Sequence, residues 1–296
     1  MNVITSEEYI QYLEHLMSNE SLSCEDIKLD IRFLITQTPV SFQQIPFSFI
    51  VRTSVLGINE ACLNISRCTY NPDSKGILLQ RCNYAEQQVF YGSVPGGMKN
   101  LGDAAQSSFM ETCFDRIKED PSFSDRFIVS TKWTLKKAPL LWVLPFHVGS
   151  IELNENFDFL FRNFDTYLQD NSQTTSQYLD LKRKVEYLSG LYCKNENKKV
   201  AYKITATFHN ELRDLFNAKM EDKIDGLIYP SANTGGEGMN MVLNKEFIAN
   251  ENIVCDLAVL YHYRRNETNA RDISFFPVAE AIPTSSGELS FEPLKE

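Results

Sequence analysis

Residues 225–244 read DGLIYPSANTGGEGMNMVLN. Leu227, Ile228 and Tyr229 form a short apolar run that stops at Pro230. Ser231 follows at once, then a glycine-rich, nearly uncharged loop, and an alternating run begins again at Met239. Short apolar runs bounded by proline and glycine read as buried strands. The stretch is therefore strand, serine, loop, strand. Glycines in such a loop let backbone come close to a ligand, so the question is what Ser231 faces.

Outward from this point the pattern on the C-terminal side is mostly strands, clearest in NIVCDLAVLYHYRRN and DISFFPVAEAI. On the N-terminal side lie three helical stretches, near 152–169, 174–190 and 199–219. In the second, Tyr178, Leu181, Val185 and Leu188 keep helical spacing. Before them, RFIVSTKWTL and LLWVLPFHV read as strands. Residues 103–118 read as a helix whose stripe is Phe109, Met110, Cys113, Phe114 and Ile117, with Glu111 at the stripe's edge, where core meets cleft. QQVFYGSV and FSFIVRTSV are two further strands. At the start, Thr5 and Glu8 have capping-box spacing ahead of Tyr9, Ile10, Leu13, Leu16 and Met17. A second helix is expected from about Cys24 to Leu34. Helices and strands mix without regular alternation, which favours one α+β domain over a doubly wound sheet. The expected organisation is an N-terminal helical extension over 1–44 and a domain over 45–296 carrying a helical insertion at about 145–220.

The chain has 296 residues, 43% hydrophobic and 23% charged, ordinary globular values. A formal net charge of −10 argues against a general nucleic-acid binder. A few arginines can still make a local anion pocket. No apolar run approaches the roughly 18 residues of a membrane span. The first twenty residues lack a basic start followed by an apolar core, so no secretory signal is expected. Seven cysteines without a CxxC pair point to reduced thiols and a cytoplasmic setting.

Several familiar motifs are excluded. GSVPGGMK at 92–99 has Met98 where a phosphate-binding loop needs lysine. GxGxxG and GxSxG are both missing from the sequence. The four histidines are dispersed, without HExxH or a Cys/His zinc spacing, so no metal site is expected. His147, after an apolar strand, reads either as catalytic or as a hydrogen-bonded strand-end histidine.

What remains is a polar constellation in strand and helix settings: Arg52 in FIVRTS, Arg81, Asn83 and Tyr91 in LQRCNYAEQQVFYGS, Glu111 in SSFMETC, and Ser231. A buried arginine is costly unless paired or placed to meet an anion.

In this order the segments resemble the RES family, named for its arginine, glutamate and serine. The likeness is strongest in QRCNYAEQQVFYGS (80–93) and DGLIYPSANTGGEGMNMVL (225–243), with AQSSFMET supplying the glutamate. It covers roughly 45–120 and 220–262. The resemblance implies a compact α+β mixed sheet related to ADP-ribosyltransferase toxins. It implies cleavage of NAD+ at the nicotinamide–ribose bond, with phosphate or water as acceptor, in a protein that often pairs with a small antitoxin. Matched by motif, the family arginines fall on Arg52 and Arg81, the tyrosine on Tyr91, the glutamate on Glu111 and the serine on Ser231. Asn83 follows the second arginine. Arg67, in SRCTY, competes with Arg52 for the first position. The Gly-rich loop between Tyr91 and Glu111, and the whole stretch from Glu111 to Ser231, are longer than in compact members.

This chemistry suits the residues. Arginine forks meet phosphate oxygens. Nicotinamide leaves as a neutral base and needs no general acid, unlike the leaving group of an ordinary glycosidase. One carboxylate, Glu111, then suffices to hold ribose hydroxyls and stabilise an oxocarbenium-like transition state. Tyr91 would pack on or hydrogen-bond to the nicotinamide-ribose, and Ser231 would donate to a phosphate or ribose oxygen. Two alternatives share the fold: an ADP-ribosyltransferase acting on a macromolecule, and a non-catalytic NAD-binding module.

Overall fold

The computed structural model describes residues 3–45, 47–70, 74–94, 101–120, 122–145, 155–193, 198–234, 238–265 and 273–294. His147, and most of the Gly-rich segments at 95–103 and 235–238, lie outside them.

Ten strands form one sheet: β1 (Phe42–Gln44), β2 (Phe49–Val55), β3 (Val89–Val94), β4 (Asp125–Leu135), β5 (Leu140–Val143), β6 (Gly226–Pro230), β7 (Met239–Asn244), β8 (Ile253–Arg265), β9 (Ile273–Ala281) and β10 (Glu292–Pro293). Their order is β1-β5-β6-β7-β3-β2-β4-β8-β9-β10. Among the described residues only the β5–β6 pair is parallel. Seven helices accompany the sheet among the described residues: α1 (Ser6–Ser18), α2 (Lys28–Gln37), α3 (Leu101–Glu119), α4 (Glu155–Asp170), α5 (Thr175–Tyr192), α6 (Lys198–Asn217) and α7 (Lys245–Ala249). The chain is thus a mixed α+β protein. No described helix is long and apolar enough to cross a membrane.

Most elements fall where periodicity puts them. Thr5 and Glu8 close a reciprocal capping box at the start of α1, and Tyr9, Leu13 and Leu16 are buried beneath it. The second helix is displaced from its expected span. Ser23 and Asp26 hydrogen-bond each other's backbone (2.8 and 3.3 Å) and hold residues 24–27 as a turn. α2 therefore starts at Lys28 and runs on to Gln37, just before Thr38 and Pro39. The expected strand at 140–148 ends at Val143, two residues ahead of Pro145, which has no backbone N–H to continue a ladder. Pro277 is accommodated within β9 at a register shift opposite Leu260/Tyr261.

Residues directly opposite in antiparallel pairs share a face. Val51 pairs Ser93, Ser93 pairs Asn240, and Asn240 pairs Tyr229, so these four residues mark one face across β2, β3, β7 and β6. Two separate helical covers lie on that face. α3 packs Ala104 and Ala105 on Val51, and Phe109 and Cys113 near Ile128 and Tyr263. At the other end α1, α2, α4, α5 and α6 bury one core against Trp142, Leu227, Tyr229 and Val242. Trp142 stacks on Phe208 of α6 at 5.5 Å and meets Tyr192 edge-on at 5.8 Å. Truncating such an aromatic costs about 3–5 kcal/mol.

The N-terminal helices are tied into the same assembly. The Lys184 ammonium, fully buried, pairs with Asp180 at 2.9 Å and donates to the Ile4 carbonyl at 2.6 Å. β1 pairs antiparallel with β5. The opposite face of the sheet carries Ile50, Phe90, Met241, Leu243 and Ile228, closed by Phe247 of α7 and Leu160 of α4.

Candidate active site

Between the two helical covers the sheet face stays open. A cavity of about 500 Å³ sits there. Its floor is the cross-strand row Ser93–Asn240–Tyr229 with Tyr91 beside it. One wall is Ser108, Glu111 and Thr112 of α3. The other is Arg81 from the irregular segment 77–88 and Tyr202 of α6. A smaller cavity of about 230 Å³ adjoins it, and the two share Arg52, Leu78, Gln80 and Tyr91 in their linings.

Arg52 owes its position to a split in the sheet. β2 and β3 are in register only at Val51–Ser93, which leaves the Tyr91 carbonyl without a strand partner on that side. Arg52 Nη1 fills the gap, donating to Tyr91 O at 2.7 Å, and the guanidinium lies over the Phe90 ring at 5.2 Å. Burial pulls its pKa down to about 10, so it stays charged at neutral pH. Among the described residues its Nε is buried without a hydrogen-bond partner. Arg67, the competing arginine, is engaged elsewhere. It pairs with Glu60 at 2.6 Å and donates to the Val55 carbonyl at 3.0 Å, and it does not line the cavity.

Arg81 lines the cavity and is only 5% exposed. Burial opposes its charge, but the neighbouring Tyr229 and Tyr202 and the Glu111 carboxylate outweigh that, and its pKa is raised. Tyr91 contributes its ring to the cavity. Its hydroxyl is already committed, donating to Asn83 Oδ1 and accepting from the Cys82 N–H, both at 2.9 Å. Burial holds that phenol well above its usual pKa. Asn83 is fully buried and donates to the carbonyls of Leu78 and Tyr84 at 3.0 and 2.8 Å. It lines the smaller cavity, not the larger, and its amide pins the segment that carries Arg81.

Glu111 projects from α3, whose seat on β2 is fixed by the Thr53 N–H donating to Ser108 Oγ at 2.8 Å. Ser231 lies immediately beyond the end of β6, fully buried, with its N–H donating to the Gly238 carbonyl at 2.8 Å. Its hydroxyl donates to Glu111 Oε1. Asn233 adds its backbone N–H to the same oxygen and its Nδ2 to Oε2, each at 3.3 Å. Ser231 thus faces a carboxylate and stands behind the cavity wall. Three donors fix the rotamer of Glu111 and compensate its charge.

Of the six residues singled out in the sequence, Arg52, Arg81, Tyr91 and Glu111 line one cavity, while Asn83 and Ser231 support it from behind. Asn233 and Tyr229 were within the quoted 225–244 stretch but carried no distinguishing signal there. Asn240 and Ser93 show themselves only once the strand register is known. Tyr202, from a helix outside the family-like segments, had none. No protein-family model, curated protein or solved structure matches the chain.

Proposed function

We propose that this protein cleaves NAD+ at the nicotinamide–ribose bond, with phosphate or water as acceptor. The observation that carries the reading is the pairing of charges in one cavity. Glu111 is held by three hydrogen-bond donors on one wall, and the arginines Arg52 and Arg81 lie along the same lining. A dinucleotide brings both a pyrophosphate to meet guanidinium groups and a ribose beside which positive charge develops.

In this reading the C1′–N bond breaks and its electron pair stays on the pyridine nitrogen, which leaves neutral. The ribose gains oxocarbenium character, and the fixed carboxylate of Glu111 stabilises it without needing reorganisation. Ser231 and Asn233 act through Glu111. Tyr91 contributes an apolar ring face. A phosphate or water oxygen then closes on that same carbon, numbered 1″ in the product, giving ADP-ribose-1″-phosphate or ADP-ribose. When water is the acceptor, its proton is released to solvent.

Incubating the protein with NAD+ in phosphate-containing and phosphate-free buffer, with products resolved by phosphorus NMR, tests the reading. A sugar phosphate formed only in the first buffer assigns phosphorolysis. ADP-ribose in both assigns hydrolysis. Intact NAD+ in both, from folded protein, removes the proposal.

A further inference from the structure

We propose that Tyr202 is a positioning residue for Arg81, so that α6, which lies outside the family-like segments, sets the affinity of the cavity for the anionic part of its ligand. The inference rests on the reading of the cavity as an anion-binding site given above.

Arg81 leaves an irregular stretch of chain, residues 77–88. A long flexible side chain on such a segment must be ordered before it can meet an anion, and that ordering opposes binding. Two supports are in place. Asn83 ties the backbone around it through the Leu78 and Tyr84 carbonyls. The Tyr202 ring lies under the guanidinium, with its centroid 5.1 Å from Cζ. A cation over a ring face spends none of its N–H donors on that contact.

Tyr202 is itself firmly held. It follows Ala201 and precedes Ile204, Thr205 and Phe208, all buried in the helical core, and the Thr205 carbonyl accepts from the Tyr192 hydroxyl at 2.7 Å. The ring stands at the cavity wall, half-buried, opposite Glu111. A rigid helix thereby delivers an aromatic face to an arginine borne on a loop.

The test uses five proteins: wild type, Tyr202→Phe, Tyr202→Leu, Arg81→Gln, and Tyr202→Leu combined with Arg81→Gln. The probes are ADP-ribose and inorganic pyrophosphate by titration calorimetry, and NAD+ by steady-state kinetics. Loss of the ring in Tyr202→Leu weakens probe binding roughly 2- to 30-fold, with a matching rise in KM and kcat changed less than about threefold. Tyr202→Phe keeps the face and restores the affinity. In the Arg81→Gln background the leucine substitution adds nothing, because the ring acts through Arg81. Equal losses in the Phe and Leu variants, additive effects in the double variant, or a wild type that binds neither probe would each overturn the inference. Probe binding that depends on Tyr202 in a protein that leaves NAD+ intact would retire the proposed reaction and keep the inference.

Discussion

The Ser231 hydroxyl donates to the Glu111 carboxylate, joining the residue after β6 to the middle of α3 across 120 positions of chain. In this arrangement the serine supports the acid. Ser231→Ala leaves Asn233 as the remaining clamp, and a carboxylate with one support lost drifts from the place that the proposed reaction gives it. A misplacement of that kind costs about 10- to 100-fold in kcat with little change in KM. Steady-state nicotinamide release, with circular dichroism to verify folding, measures it; an unchanged kcat would refute the clamp.

The two arginines left in competition by the sequence resemblance, Arg52 and Arg67, separate cleanly in space. Arg52 reaches the cavity through the β2–β3 split, whereas Arg67 is held by Glu60. Arg52→Ala therefore raises KM for NAD+ about tenfold or more, the loss of a charge-assisted contact. Arg67→Ala leaves turnover at the wild-type level and costs at most about 1 kcal/mol of stability, as exposed ion pairs do. Parallel Michaelis curves for the two variants decide between them.

His209 gives the stability a defined acid limb. It lies on α6 with 2% of its surface exposed, and burial, with Arg213 nearby, pulls its pKa from 6.5 to about 3. Above pH 6.5 it is neutral in both folded and unfolded chains. Below that, the unfolded chain binds a proton that the folded one refuses, so stability falls by about 1.4 kcal/mol per pH unit down to about pH 3. Urea unfolding of wild type and His209→Gln between pH 6.5 and 5 isolates the term: the variant's slope is shallower by that amount. Parallel slopes would show that the ring titrates normally.

Gly226 opens β6 where backbone approaches backbone. A Cβ there would sit 1.9 Å from the Val242 carbonyl oxygen, and neither strand can yield without breaking the β6–β7 ladder. Gly226→Ala destabilises the fold by on the order of 3 kcal/mol. Because β6 leads directly into Ser231, residual folded protein also loses activity. Thermal unfolding measures the first effect, and a melting temperature within a degree of wild type would contradict it.

Much of this was legible in the chain because the signals were local. The capping box of α1, the stripe of α3 and the β-branched and aromatic residues of β2 depend on near neighbours, and so did the placement of Arg52, Tyr91 and Glu111 on strands and a helix; Arg81 lies instead on the irregular segment 77–88. The start of α2 was misplaced because side chains of Ser23 and Asp26 compete for the helix's first backbone groups. The contact between Ser231 and Glu111 was not legible, since the two lie on distant elements and hydroxyl donors look alike in sequence. Asn240 and Ser93 became visible only through strand register, which cross-strand pairing sets and no single strand reveals. Tyr202 emerged only from the packing of α6 beside the 77–88 segment.

The central claim is that a fixed Glu111 carboxylate drives cleavage of the nicotinamide–ribose bond. Chromatographic measurement of nicotinamide released from NAD+ by wild type and by Glu111→Gln tests it most directly. The account predicts time-dependent release by the wild type and a rate at least about 10²-fold lower for the variant, which keeps the shape and removes the charge. Equal rates for the two proteins, or no nicotinamide from folded wild type, would contradict it.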